Sequence, residues 1–185
     1  MTAAITSLDF SLLYWIQAHM RNDFFDGFFK LVTHLGDAGI FWIALGIILL
    51  CFPKTRRCGI CMLVCLAVTA LLGEGLLKHL FTRERPCVQQ PIADILLALP
   101  TTYSFPSGHS ASSFTAATAL FFHDRRAGIA AYILAALIAF SRLYCYVLFP
   151  TDVLTGIALG LCVGIVLTPR LSSRLLTCIH PDPSA

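Results

Sequence analysis

Apolar positions in this chain first recur at helical spacing and then merge into stretches long enough to cross a bilayer. Over residues 7–20 the apolar groups at 8, 12, 15 and 16 share one helical face. Residues 24–35 repeat the pattern with Phe24, Phe25, Phe28, Phe29, Val32 and Leu35. Arg21, Asp23, Asp26 and Lys30 lie among or beside them, so residues 1–36 read as amphipathic helices, interfacial or packed on a bundle. Gly36-Asp37 ends that region. Residues 39–52 are apolar but shorter than the roughly 20 residues a bilayer requires, and are expected to borrow length from the preceding helix. Apolar stretches follow at 59–77, 107–122, 127–147 and 153–168. The last carries Gly156, Gly160 and Gly164 at four-residue spacing, which admits a close helix neighbour in the same bundle or in a second chain. Residues 87–106 hold Pro91, Pro100 and Pro106 and read as a long loop with a short helix at 92–99. Residues 37–168 then form a transmembrane bundle and residues 169–185 a polar tail. The expected fold is a single all-α integral-membrane domain of about six membrane-associated helices.

Composition narrows the class. Of 185 residues, 57% are hydrophobic and 12% charged, with a mean hydropathy of +0.79. The charged share is about half the roughly 25% of a soluble domain, too little to coat a water-facing surface. A soluble enzyme and a disordered chain are both excluded. The net charge of +3 is small and scattered, so the expected partner is the membrane and not nucleic acid. Eight cysteines sit mostly inside apolar stretches and read as small apolar filler. Cys58-x-x-Cys61 lacks a second pair or a nearby histidine and is a weak zinc or redox motif. Asp9 precedes the first apolar run and no small-residue cleavage site follows, so the N-terminus does not read as a cleavable signal.

Basic residues orient the chain. Lys54, Arg56 and Arg57, then Arg125 and Arg126, then Arg170 and Arg174 fall on one side when the spans are counted, and that side should be cytoplasmic. The opposite segments still hold Lys78, Arg83, Arg85 and Arg142. Positive charge on the wrong side of the rule calls for a bound anion, or for simple headgroup anchoring in the case of Arg83 and Arg85.

Three segments converge on that outer face: Lys78 to Pro86 at the end of a span, Pro106-Ser107-Gly108-His109 opening a helix, and Ser141-Arg142 with Asp152 between two spans. Membrane-edge charges default to a functional reading. A helix start at Ser107 and Gly108 offers free backbone N–H groups and the positive dipole end to an anion. Arg85 and Arg142 carry forked donors that match phosphate oxygens, and Lys78 adds a point charge. His109 stands at the same helix start and can protonate a leaving oxygen. Taken singly, Ser107 is an ordinary helix cap, Glu74 a bundle-packing carboxylate, and His19, His34, His79, His123 and His180 incidental.

These three motifs resemble the type 2 phosphatidic acid phosphatase family of integral-membrane lipid phosphatases. Lys-x6-Arg-Pro matches residues 78–86, Pro-Ser-Gly-His matches 106–109, and Ser-Arg-x5-His-x3-Asp matches at Ser141, Arg142 and Asp152. The short length resembles bacterial members that act on undecaprenyl pyrophosphate or phosphatidylglycerophosphate at the outer face of the inner membrane. The resemblance implies a metal-independent site without cofactor, a membrane lipid phosphate as substrate, and phosphate binding by Lys78, Arg85, Ser107, Gly108 and Arg142. It implies His109 and Asp152 as catalytic residues, with Asp152 orienting a nucleophilic histidine one turn before it.

The chain departs from the family at that nucleophile, where it carries Leu148. Leucine has no lone pair, so the phosphohistidine route is closed and the chain as written is expected to be inactive. Retention of the other motif residues points to an engineered or very recent inactivating change. A natural non-catalytic protein that binds or transports lipid phosphates is the alternative, and rescue by another base such as His79 a third.

Overall fold

The computed structural model describes residues 3–179. Two helices open the chain, α1 (Ala3–His19) and α2 (Asp23–His34), and Asn22 caps the second by accepting from the Phe25 N–H at 2.9 Å. Their inner faces bury Phe10, Leu13, Ile16, Phe29 and Val32, while Leu8, Leu12, Trp15, Phe24 and Leu31 stay exposed. A 3-10 turn at Asp37–Gly39 follows, left-handed at Ala38 and Gly39 (φ 49° and 67°), and α3 (Ile40–Cys51) leaves it. The α2 and α3 segments are bent by 42° and together are long and apolar enough for one span. The short apolar run at 39–52 reaches a spanning length only when counted together with the helix before it.

α4 (Arg56–Ala70) continues through a π-type turn at Leu71–Leu77 into α5 (Lys78–Phe81), and α6 (Pro86–Gln89) is a single turn with proline at its first position. The expected helix at 92–99 is absent, since residues 90–107 carry no helix. Ile92, Ile95, Leu96 and Leu97 instead pack on a core cluster, so their apolar spacing serves burial and not a helix.

The centre of the bundle is α7 (Gly108–His123), flanked by α4, by α8 (Arg125–Tyr144) and by α9 (Pro150–Ile179). Asp124 joins α7 to α8 and caps the second, accepting from the Arg126 N–H at 2.8 Å. The buried side chains of α7 are mostly small, including Ala111, Ser113, Ala116 and Ala117. The glycine stripe of α9 faces them: a Cβ at Gly160 would stand 3.0 Å from the Thr115 nitrogen, and one at Gly164 2.5 Å from the Thr118 Cβ. The stripe therefore brings α9 onto α7 inside the bundle. Cys58, Cys61, Cys65, Cys87 and Cys145 are buried free thiols among the core side chains, as small apolar filler should be.

Among the described residues, Arg56–Gln89, Arg125–Tyr144 and Pro150–Leu175 are each long and apolar enough to cross a membrane. α9 runs past Pro169 to Ile179, so the expected polar tail begins as helix, and residues 180–185 lie outside the described residues. The three motif segments meet at one end of the bundle. Lys54 lies just before the start of α4 and Arg125 at the start of α8, the ends away from the motifs, and Arg170 lies in the last third of α9.

Candidate active site

A cavity of about 920 Å³ opens at the motif end of the bundle. Its walls include Lys78, Arg85, Gly108, His109, Arg142 and Leu148. All three motifs thus reach one space from α5, the start of α7 and the α8–α9 connection. The connection is built to aim residue 148 inward. α8 ends at Tyr144, Tyr146 turns left-handed (φ 59°), and the Val147 N–H returns to the Arg142 carbonyl at 3.2 Å. Arg85 then holds the Val147 carbonyl at 3.1 Å, and the Leu148 side chain is buried in the cavity wall.

The cations differ in how far their donors are used. Arg85 is buried and donates to Thr102 O at 2.7 Å, Thr102 Oγ1 at 3.0 Å and Tyr103 O at 3.3 Å, besides Val147 O. It clamps the loop over the cavity and keeps little capacity for a ligand. Lys78 is also buried and gives its ammonium to both oxygens of Glu74, at 2.6 and 2.8 Å. Arg142 is 6% exposed and donates to Thr33 Oγ1, while its buried Nε–H has no partner. Among the described residues neither Arg85 nor Arg142 forms an ion pair. A buried guanidinium that lines the cavity without a counter-ion leaves that wall positively charged.

Ser107 takes the structural role. It is fully buried, accepts from the Ser110 N–H at 3.2 Å as the α7 cap, and is not among the residues lining the cavity. Gly108 and His109 do line it, and the Glu74 carboxylate lies against Gly108.

Asp152 also turns away from the cavity. It is fully buried, accepts from Arg83 at 2.5 Å, and takes the Phe149 N–H at 3.1 Å. The second bond is half of a capping box, because Asp152 is the third residue of α9 and Phe149 the residue before it. Arg83 is shared with Asp9 of α1 at 2.7 Å and lies over the Phe149 ring at 3.9 Å. Asp9 in turn accepts from the Thr151 N–H at 3.1 Å and the Thr151 hydroxyl at 2.6 Å. This cluster ties the first helix to the start of the last.

His109 has a carboxylate of its own. Its Nε2 lies 3.0 Å from Asp37 Oδ1, and the other oxygen of Asp37 lies 2.8 Å from His34 Nδ1. His34 therefore shares the Asp37 carboxylate with His109. His79 is exposed and absent from the cavity wall, so it is not positioned to replace a nucleophile. Sequence reasoning missed Asp37, Asp9 and Thr33, and read Arg83 as a cation for a bound anion or the headgroup region, whereas it pairs with Asp9 and Asp152. The Glu74–Lys78 and His34–Asp37 pairs had a local signal, their spacings of four and three residues. Among the described residues no group of three or more His, Cys, Asp or Glu side chains is arranged to hold a metal ion.

Residues 59–174 match the PAP2 superfamily. The chain is 35% identical over 120 residues to an undecaprenyl-diphosphatase of Sulfolobus acidocaldarius, covering 64% of this chain and 58% of that protein. It is 32% identical over 141 residues to a decaprenylphosphoryl-5-phosphoribose phosphatase of Mycobacterium tuberculosis, covering 73% of this chain and 74% of that one. The crystal structure of a transmembrane PAP2-type phosphatidylglycerolphosphate phosphatase from Bacillus subtilis superposes with a TM-score of 0.74 at 27% identity, over 97% of this chain and 90% of that one.

Proposed function

The chain belongs to the PAP2 superfamily, and from that membership we propose that its cavity receives the phosphate or pyrophosphate headgroup of a membrane lipid at the extracytoplasmic face of a bacterial inner membrane. The site is that of a lipid phosphatase whose nucleophile position is occupied by Leu148. The observation that carries this reading is Arg142, a buried guanidinium without a counter-ion in the wall that also holds His109 and Leu148. A dianionic headgroup supplies the missing counter-charge. Its greasy tail remains among the exposed apolar helices, so headgroup and tail are each matched in polarity.

In this reading Arg142 is the main phosphate ligand. The α7 N-terminus at Gly108 and His109 contributes backbone donors, and Lys78 contributes charge once Glu74 yields it. Arg85 shapes the cavity by clamping the loop. These cations stabilise the charge that spreads over the phosphoryl oxygens in the transition state, which is work for which no metal is required here. With a histidine in place of Leu148, the imidazole nitrogen attacks phosphorus, the bond from phosphorus to the lipid oxygen breaks, and His109 gives that oxygen a proton. Water then cleaves the phosphohistidine. Leucine removes the first step and leaves the binding apparatus intact.

The test is phosphate release by the purified chain beside its Leu148→His variant. The substrates are farnesyl pyrophosphate, a phosphatidylglycerophosphate and a phosphatidic acid. Release by the variant alone, at least about 10³-fold above the parent, is the expected result. The substrate ranking then separates an isoprenoid from a glycerophospholipid role. Equal release by both proteins overturns the assignment of residue 148.

A second reading, a lipid-phosphate binder or transporter, is favoured by the apolar wall that Leu148 provides beside intact cations. It expects no turnover even from Leu148→His, together with lipid-phosphate binding that Arg142→Ala weakens.

A further inference from the structure

We propose that Asp37 is the positioning residue of His109, and that His34 completes a histidine–carboxylate–histidine set in the cavity wall. The proposal rests on reading the cavity as a phosphatase site, and adds to it a second carboxylate–imidazole pair.

Two features of the fold place Asp37 against His109. The 3-10 turn between α2 and α3 adopts left-handed backbone at two successive residues, Ala38 and Gly39, which turns the Asp37 side chain toward the first turn of α7. Gly36 leaves room for the imidazole: a Cβ there would stand 2.5 Å from His109 Cδ2 and 2.7 Å from Ile138 Cγ2. Any larger residue at 36 would displace the ring. The Asp37 carboxylate then bridges the two histidines, 3.0 Å from His109 Nε2 and 2.8 Å from His34 Nδ1.

The chemical consequence concerns the tautomer. A carboxylate at Nε2 accepts a hydrogen bond from that nitrogen, so it fixes the ring proton there and leaves Nδ1 as the nitrogen that exchanges a proton with a cavity ligand. In the charged ring, the Nδ1 proton passes to the departing lipid oxygen as the bond from phosphorus to that oxygen breaks. The Nε2 proton stays on the ring, and Asp37 takes none. Nδ1 regains its proton from the water that later cleaves the phosphohistidine, while Asp37 and His34 orient the ring and move no proton.

The same geometry separates this pair from the carboxylate of the third motif. Asp152 is consumed by Arg83 and the Phe149 N–H and does not line the cavity. Asp37 lines it.

Two measurements test the proposal. The first uses the chain as it stands in detergent micelles and reads the imidazole 15N shifts of His109, assigned by difference with His109→Gln. The Nε2-protonated tautomer is expected, converting to a mixture in Asp37→Ala and largely retained in Asp37→Glu. A tautomer indifferent to Asp37→Ala overturns the proposal. The second uses the Leu148→His background. There Asp37→Ala should lower kcat by roughly 10²-fold with KM nearly unchanged, Asp37→Glu should recover part of the loss, and His34→Gln should cost less. An unchanged kcat overturns it equally. If Leu148→His is itself inert, the phosphatase reading fails while the tautomer result still decides whether Asp37 positions His109.

Discussion

Asp37 and Asp152 belong to two charged clusters at the same end of the bundle, and the clusters differ in what they face. Asp37 is half exposed, lines the cavity and holds an imidazole that also lines it. Asp152 is fully buried, faces Arg83 and the start of α9, and reaches Asp9 of α1 through that arginine. The arginines divide in the same way. Arg83 has two carboxylates, and Arg142 has none and an empty Nε–H. One cluster is closed on itself and holds helices together. The other leaves a cation unpaired in the cavity wall. The difference changes how Leu148 is to be understood. Retention of Asp152 beside a leucine looked like the trace of a recent loss, because a carboxylate without its histidine has nothing to orient. The structure gives Asp152 two further tasks, capping α9 and neutralising Arg83, and either one keeps it in place whatever stands at position 148.

The widest separation between the clusters is expected in stability. Asp152→Ala removes the α9 cap and half of the charge balancing a mostly buried arginine, which should destabilise the protein by about 3–5 kcal/mol. Asp37→Ala removes a half-exposed carboxylate and should change stability by less than about 1 kcal/mol. Thermal unfolding of both variants in one detergent compares them directly. Equal losses would dissolve the distinction between a closed and an open cluster.

Ligand binding should separate the arginines in the opposite sense. Arg142→Ala removes a charged donor aimed at the anion, worth about 1.5–3 kcal/mol, so phosphate or a short-chain lipid phosphate should bind roughly 10- to 100-fold more weakly. Its stability should hold or rise, because a buried cation without a counter-ion is gone. Arg83→Ala should instead lower the melting temperature by leaving Asp9 and Asp152 buried without their partner. Titration calorimetry and unfolding on the same two variants sharpen the contrast. A binding loss for Arg83→Ala without a stability loss would reverse the roles.

Much of the open cluster was legible beforehand and little of the closed one. The motif spacing brought Lys78, Arg85, His109, Arg142 and position 148 to one end, and the glycine stripe announced the close pairing that α9 makes with α7. The contacts of Arg83 with Asp152 and Asp9 span 69 and 74 residues, and that of His109 with Asp37 spans 72. No local periodicity reports on partners that far apart. The helix expected at 92–99 failed for a related reason: its leucines and isoleucines are spaced for burial on a distant cluster, and the apolar pattern alone does not distinguish that from a helix face. Ser107 illustrates the reverse case. The motif resemblance assigned it to phosphate binding, whereas in the structure it caps α7 and does not line the cavity.

The smallest effect tests the one contact in which the open cluster is partly closed. Glu74 and Lys78 sit four residues apart, on a π-type turn and the helix that follows it, and both line the cavity. The Glu74 side chain is 49% exposed and that of Lys78 11%, so the carboxylate can swing outward while the ammonium stays. An incoming phosphate competes with Glu74 for the same ammonium protons. Removing the competitor in Glu74→Gln should tighten phosphate binding by a few-fold, within the roughly 1 kcal/mol that a partly exposed pair contributes. The opposing effect is orientation, because without the carboxylate Lys78 is free to leave the position from which it meets the ligand. Salt distinguishes the two. If competition dominates, the advantage of Glu74→Gln over the parent should shrink as ionic strength screens the ammonium–carboxylate pair. Weaker binding in Glu74→Gln at every salt concentration would make Glu74 a fixed support of Lys78, and would place that pair with Arg83 and Asp152 in the closed half of the comparison.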